Sequence, residues 1–379
     1  MSQATEVVII GGGVIGCAIA YFLRKRGIGV TVLERGEIGA QASSAAAGLL
    51  APLGPLSGPG SLADLLLGSF ALFPDLVTEL EDASGIRVEY ERTGALRTVR
   101  NAKRVAILRK RMEEWQPLGL QMYWLSGDEA RQREPLLAPD ICGAIYAPEE
   151  SQVRAPLLVK AFAQAATRLG AVFYGHREIN GIQRHGTKVT GVYTSEGETI
   201  ACGHLVIAAG AWAARCGDWL GFELPVSPLR GQILSLRQAG LPFPLLRHII
   251  FGEAIYLAPK EDGTIVVGAT KEEVGFDAHV TADGVIRLLE SAMKLAPMLR
   301  KSAVEALWAG LRPKTPDGQP ILGAAPNWEN VTLATGHNSV GVLLSAITGQ
   351  SVAEFVATGR SPGVIAPFAP TRFTALAQG

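Results

Sequence analysis

Cysteine is scarce in this chain, and what there is lies apart: Cys17, Cys142, Cys202 and Cys216 are spread over 379 residues with no CxxC pair. That spacing excludes a disulfide framework and the paired ligands of a structural zinc site, and leaves four reduced thiols of the small, buried kind. No metal site is expected. An excess of charge of one sign is missing too, since 35 basic residues balance 35 acidic ones. With no basic block interleaved with aromatics, nucleic acid is excluded as a partner and a small molecule is expected instead. Long hydrophobic runs are also absent: the apolar start, Val7 to Ile10, is broken by Gly11, Gly12 and Gly13. It has no basic leader, and no run reaches the roughly 18 apolar residues of a membrane span, so a cytoplasmic chain without a span is expected.

Glycine, by contrast, is plentiful, with 44 residues beside 22 prolines in a chain that is 48% hydrophobic. This is the composition of a globular α/β protein with many turns, and the length predicts two joined domains, each with a core of its own. Glu6–Ile10 reads as a buried parallel strand entering the turn Gly11–Gly16, followed by a helix from Cys17 through Leu23. Arg24, Lys25 and Arg26 close that helix before Gly27, placing cations at the negative end of the helix dipole and glycine at the left-handed cap. A second strand, Val30–Leu33, ends at Glu34 and completes a βαβ beginning. Gly11, Gly13 and Gly16 match GxGxxG directly after a strand: the first allows the tight turn, the second lets a pyrophosphate approach, the third packs helix on sheet. Glu34, 18 residues past Gly16, can accept hydrogen bonds from ribose hydroxyls and would repel a 2′-phosphate. A dinucleotide site is therefore expected. FAD and NAD share this half-site, and the glycines do not choose between them.

Further along, apolar residues recur at helical spacing from Ser61 to about Glu81, predicting one or two amphipathic helices. The stretch Arg87–Tyr146 mixes short strands with a charged helix, Lys103–Trp115, and leaves the βα pattern, which suggests an inserted second domain. A helix over Pro156–Leu169 and a strand over Leu205–Gly210 return to the first domain. Between Leu224 and Thr270 an antiparallel meander is expected, with Asp262-Gly263 turning between Ile255–Ala258 and Thr264–Val267. The last strand, Val331–Thr335, leads through Gly336 to a helix over Val340–Val356. The expected division is residues 1–85, 150–220 and 310–370 in a discontinuous cofactor domain, with 86–149 and 221–309 in a substrate domain.

Ser43-Ser-Ala-Ala-Ala-Gly-Leu49 resembles the loop beside the flavin in glycine oxidases of the FAD-dependent D-amino acid oxidase family. The likeness continues through Val153 before Arg154-Ala-Pro156, Ala208-Ala-Gly-Ala-Trp212, Val267-Gly-Ala-Thr270, Trp308-Ala-Gly-Leu-Arg-Pro313 and Thr315-Pro-Asp-Gly318, colinear over essentially the whole chain. It implies an α/β fold in which a Rossmann-like FAD-binding domain is interleaved with an antiparallel-sheet substrate domain. It implies FAD contacts from Gly11, Gly13, Val14, Ile15, Gly16, Glu34, Arg35, Ala42, Ser43, Ala47, Gly48, Leu49, Val153 and Gly210. Contacts are also implied from His337, Asn338, Ser339, Val340, Gly341, Val342, Leu343 and Leu344. Relatives with covalent FAD use a late cysteine or a histidine near the glycine turn, and this chain has neither, so non-covalent FAD is expected.

At the substrate end the resemblance gives Arg312 to the carboxylate of a small amino acid, with Tyr256 adding a hydroxyl; a guanidinium fork suits bidentate binding. The Cα hydrogen would leave as hydride, with O2 as final acceptor and hydrogen peroxide, keto acid and ammonia as products, or with the imine passed on in thiamine biosynthesis. His337 is a candidate helper of the reduced ring, or else a packing residue. One departure stands out: where glycine oxidases carry a second arginine in the last loop, this chain has Ser339, and Lys271 follows Thr270 where the glycine pocket has methionine. That leaves room for a bulkier or N-substituted amino acid. A flavin dehydrogenase passing electrons to a quinone or partner subunit is the alternative enzyme, a non-catalytic flavin module the alternative class. Relatives of this kind are frequently dimers or tetramers.

Overall fold

The protein is described by a computed structural model covering residues 5–237 and 246–374; of the meander expected between Leu224 and Thr270, residues 238–245 lie outside the described residues. In chain order the first part runs β1 (Thr5–Ile10), α1 (Val14–Lys25), β2 (Val30–Leu33), α2 (Ala42–Ala45), β3 (Leu49–Leu50) and α3 (Ser61–Ser84). Next come β4 (Ala95–Val99), α4 (Ala102–Trp115), β5 (Tyr123–Ser126), α5 (Gly127–Arg133), β6 (Gly143–Ala147), β7 (Ser151–Gln152), α6 (Ala155–Arg168) and β8 (Val172–Tyr174). They are followed by β9 (Ile179–His185), β10 (Lys188–Thr194), β11 (Thr199–Ile207), α7 (Ala214–Leu220), β12 (Ser227–Arg237), β13 (Ile249–Phe251), β14 (Tyr256–Pro259) and β15 (Thr264–Gly268). The chain closes with α8 (Ala282–Leu295), β16 (Ala303–Lys314), β17 (Ile321–Ala324), β18 (Val331–Thr335), α9 (Gly341–Thr358) and α10 (Thr371–Thr374).

Two sheets carry the fold. The first has the order β17-β18-β11-β1-β2-β8, with β9 and β10 folded antiparallel onto β11. Strand β1 lies parallel between β2 and β11, and β11 lies parallel to β18. Because strand side chains alternate, Val7 and Ile9 point into a core shared with α1, α3, α6 and α9, while Val8 and Ile10 join the opposite core with α7. Helix α3 is single rather than a pair, running through Pro74 to a left-handed cap at Gly85. Helices α3 and α9 are apolar and long enough to cross a membrane by length and composition alone; here α9 packs against α1 and α3 as a core helix.

The second sheet has the order β16-β12-β15-β14-β13-β4-β6-β5. It is antiparallel except where β13 lies parallel to β4, so the expectation of a wholly antiparallel sheet is corrected at that one seam. Leu234, Leu257 and Val267 face a core with α8, and the alternate residues Ile233, Ala258 and Val266 face the other way, toward Ala47. The β14–β15 connection closes on Lys260 and Thr264, whose N–H···O=C bond measures 2.8 Å. It is a three-residue loop ending in Gly263 at φ 81°, not the two-residue turn expected at Asp262-Gly263, and left-handed glycine is what such a loop requires. The boundary placed at residue 310 falls inside β16, which runs on through Arg312 to Lys314.

A buried ion pair ties β4 to the segment entering β7. Arg97 donates to both carboxylate oxygens of Glu150, at 2.5 and 2.8 Å, and Glu150 also accepts the Leu53 N–H at 3.2 Å. The guanidinium lies over the Phe251 ring, 4.6 Å from its centroid.

Candidate functional site

A continuous cleft follows the ends of β1, β2, β11 and β18, formed by two adjoining cavities that share Gly13, Ala42, Ser43, Ala208 and Gly210. Its middle is the glycine turn. Gly11 has φ 109°, and a Cβ there would lie 2.3 Å from the Ala208 carbonyl oxygen, so only glycine closes this corner. Helix α1 starts at Val14, three residues earlier than the sequence suggests. The reason is that the Cys17 N–H already bonds to Gly13 O, at 2.9 Å, drawing the last residues of the turn into the first helical turn. Gly13 caps the helix without a side chain, which leaves first-turn N–H groups for an anion. Val14 N–H is held by the Ser43 hydroxyl at 2.9 Å.

Glu34 ends β2 and is 9% exposed. One carboxylate oxygen accepts Gly12 N–H at 2.8 Å and the other Gly36 N–H at 2.9 Å, so the acid braces the glycine turn while its outward lone pairs face the cleft. Glu34→Ala is expected to weaken dinucleotide binding about 10- to 100-fold, the size of losing charge-assisted hydrogen bonds. A titration of the apoprotein with the dinucleotide checks it. Beyond Glu34, the Arg35 guanidinium stacks 3.7 Å from the centre of the Trp212 ring, and Trp212 stacks in turn on Phe276 from the loop after β15.

At the other end the loop Ala45–Leu49 lies under the second sheet. On β16, alternation brings Trp308, Gly310 and Arg312 to one face. Trp308 donates to Ala45 O at 3.0 Å, and a Cβ on Gly310 would lie 2.6 Å from Ala45 Cβ, so the loop and sheet are in close contact. Gly48 sits at φ 79°, where a Cβ would be 1.9 Å from Val153 O, and Val153 N–H bonds to Gly48 O at 2.8 Å.

Arg312 is half-buried and donates to the Thr270 carbonyl at 3.0 Å. Among the described residues no carboxylate pairs with it. Gly231, on the neighbouring strand, makes its space: a Cβ there would be 2.2 Å from a guanidinium nitrogen. Tyr256, half-buried on β14, faces the same cavity over Gly268, and its hydroxyl makes no hydrogen bond among the described residues. Burial pushes its pKa up to about 12 against the pull of Arg312, so the phenol stays protonated and is free to donate. An unpaired cation and a free hydroxyl over alanine, leucine and isoleucine side chains have the chemistry to hold one carboxylate.

The C-terminal wall is Gly336–Val342. Asn338 adopts φ 48° and donates its N–H to Pro313 O at 2.9 Å, after which α9 begins without a side-chain cap. Gly341 and Val342 line the cleft, so the positive end of the helix favours negative charge there. His337 also lines it, but is 3% exposed and bonded to the Thr348 hydroxyl at 3.2 Å. Burial pulls its pKa down to about 3, so of the two readings of His337, helper of the reduced ring or packing residue, a neutral buried ring favours packing. Ser339 is exposed at the rim.

Of the residues singled out from sequence, Gly16, Val153, Val340, Leu343 and Leu344 do not line the cleft. Leu343 and Leu344 are buried in the core behind it, where Leu343 O accepts the Ser69 hydroxyl at 2.6 Å. Sequence reasoning missed Trp212, Gly231, Ile233, Gly310 and Thr335 as lining residues. Trp212 and Gly310 sat inside motifs already singled out, and strand alternation from Arg312 would have found Gly310. Among the described residues, no three His, Cys, Asp or Glu side chains gather as a metal site.

Residues 6–355 match the family model described as FAD dependent oxidoreductase. The chain is 37% identical over 374 residues to a glycine oxidase of Geobacillus kaustophilus, covering 98% of both proteins. It is also 37% identical over 372 residues to the bifunctional protein ThiO/ThiG of Trichormus variabilis, covering 97% of this chain and 55% of that one. The crystal structure of glycine oxidase from Geobacillus kaustophilus superposes with a TM-score of 0.92 at 38% identity, over 97% of this chain and 98% of the other.

Proposed function

Because the chain belongs to the FAD dependent oxidoreductase family, in its glycine oxidase branch, we propose that it oxidises the carbon–nitrogen bond of a small amino acid, with O2 as acceptor. The observation that carries this reading is Arg312: a half-buried guanidinium without a carboxylate partner among the described residues, facing an apolar cavity at the loop Ala45–Leu49. FAD, held non-covalently, fits the glycine cradle, the open terminus of α1 and Glu34. When bound it would supply the two-electron redox chemistry that links oxidation of the substrate carbon–nitrogen bond to reduction of O2 to hydrogen peroxide.

The protein's own part is orientation and exclusion of water. Arg312 and Tyr256 fix the substrate carboxylate on the second sheet. Ala46, Ala47, Leu49 and Ile233 line the cavity, and low polarity favours the neutral amine from which hydride can leave. The imine released hydrolyses to keto acid and ammonia. With Arg312 as the cavity's one lining cation among the described residues and Ser339 at the rim, a substrate with a single carboxylate and room at nitrogen or Cα fits best. Thiamine biosynthesis is the setting we propose, on the match to the ThiO/ThiG protein.

Tyr256→Phe should raise KM for the amino acid about 10- to 100-fold with a smaller change in kcat, the loss of one hydrogen bond to a charged group; steady-state kinetics check it. The decisive experiment follows anaerobic bleaching of the yellow protein by glycine, sarcosine, D-alanine, D-proline and L-proline, then admits air and assays peroxide. Rapid recolouring with peroxide is expected. Bleaching that persists in air would replace the oxidase by a dehydrogenase, and no bleaching by any of the five would overturn the substrate class.

A further inference from the structure

Lys260 is a buried cation that the reaction above does not use. It directly follows β14, where the chain enters the β14–β15 loop, and is 7% exposed. Its ammonium donates to three oxygens at once: Ala47 O at 2.7 Å, Gln152 Oε1 at 2.9 Å and Val153 O at 3.2 Å. Gln152 is itself fixed, because its amide nitrogen donates to Pro259 O at 2.5 Å and to Glu91 at 3.0 Å, which turns its carbonyl toward Lys260. One nitrogen therefore joins the second sheet, the β3–β7 ribbon and the loop whose Ala47, Gly48 and Leu49 line the cleft.

The geometry points to Lys260 as a positioning residue for the cofactor loop, a staple that holds Ala47 in its FAD-binding shape only while the nitrogen carries all three protons. An ammonium satisfies three acceptors; a neutral amine has two N–H groups and turns a lone pair toward the third oxygen. Losing the proton therefore frees one strand of the staple and sets like dipoles against each other in a dry site. The charged groups facing Lys260 are Arg154 at the start of α6, Glu89 and Glu91 before β4, Arg247 before β13, and Glu261 and Asp262 in the loop. Burial, with Arg154 helping, pulls the ammonium down to about 7, while Glu91, Glu89 and Asp262 pull the other way. Burial works against the proton while the three acceptors hold it, so the proton is the part of the staple that rising pH removes.

The sign follows from linkage. If FAD binds the stapled loop, the holoprotein holds this proton more tightly than the apoprotein, binding takes up a proton, and affinity falls as pH rises through the range above about 7. This rests on the cleft being the FAD site. The test is the FAD dissociation constant of the apoprotein between pH 6 and 9, read by flavin fluorescence. In the unaltered protein it should rise roughly tenfold over that range, one unit of difference between the two forms. Lys260→Arg, always charged, should give a flat profile, and Lys260→Met a flat and uniformly weaker one. In the unaltered protein, calorimetric titration with FAD in two buffers of different ionisation enthalpy should show net proton uptake near pH 7.5 and none at pH 6. A flat profile with no proton uptake, or the same slope in the Lys260 variants, would overturn the role of Lys260. An apoprotein that takes up no FAD at any pH would instead overturn the reading of the cleft.

Discussion

Replacing Arg312 by leucine is expected to lower kcat/KM for the amino acid by roughly 10²- to 10³-fold while the protein stays yellow. The expectation comes from the cation's surroundings: Arg312 has a backbone carbonyl on one side, no carboxylate partner among the described residues, and an apolar cavity in front. A carboxylate entering that cavity has this guanidinium as its charge partner, and truncating one side of a desolvated charge pair costs about 3–4 kcal/mol. The loss should be shared between KM and kcat, because a substrate no longer held by its carboxylate also loses its aim at the reacting centre. FAD content should be unchanged, since the bonds that shape the glycine turn run to Glu34 and Ser43 and not to Arg312. Turnover within tenfold of the parent would show that the carboxylate is held elsewhere, and loss of colour would make Arg312 a structural residue.

A second large effect concerns stability. Arg97→Met removes one half of the buried pair with Glu150 and should destabilise the fold by about 3–5 kcal/mol, because an uncompensated carboxylate is left in the interior. A drop in melting temperature of more than about 5 °C is expected by calorimetry at neutral pH. The double variant Arg97→Met with Glu150→Leu should recover much of the loss, since two apolar groups fill the site without a stranded charge. Recovery should stay incomplete, because Glu150 also accepts the Leu53 N–H. A double variant as unstable as the sum of both singles would mean that the pair contributes by packing and not by charge.

How far the sequence alone reaches can be seen element by element. The opening strand, turn and helix are written locally: a continuous apolar run, glycines at a corner no side chain can occupy, basic residues in the last turn of α1. The start of α1 was misplaced because Gly13 and Val14 are helical in their hydrogen bonding yet glycine-rich in composition. The parallel seam between β4 and β13 could not be read, since Ala95 meets Ile249 across a gap that no local pattern spans. The same is true of Gly231, whose value lies in the arginine opposite, and of Lys260, whose partners come from three separate segments. For His337 the sequence left two readings open, helper or packing residue, and burial against Thr348 favours the second.

Strand β1 sits in the middle of its sheet, yet its partner β11 begins at Thr199 and the next strand, β18, at Val331. A ribosome delivering about 5–20 residues per second therefore presents β1, α1 and β2 as an unfinished half-sheet for tens of seconds before the missing strands emerge. During that interval Val8 and Ile10, buried in the finished protein, have no covering layer. Cofactor capture is expected to follow the rest of folding, because both walls of the cleft exist only once α9 has been made.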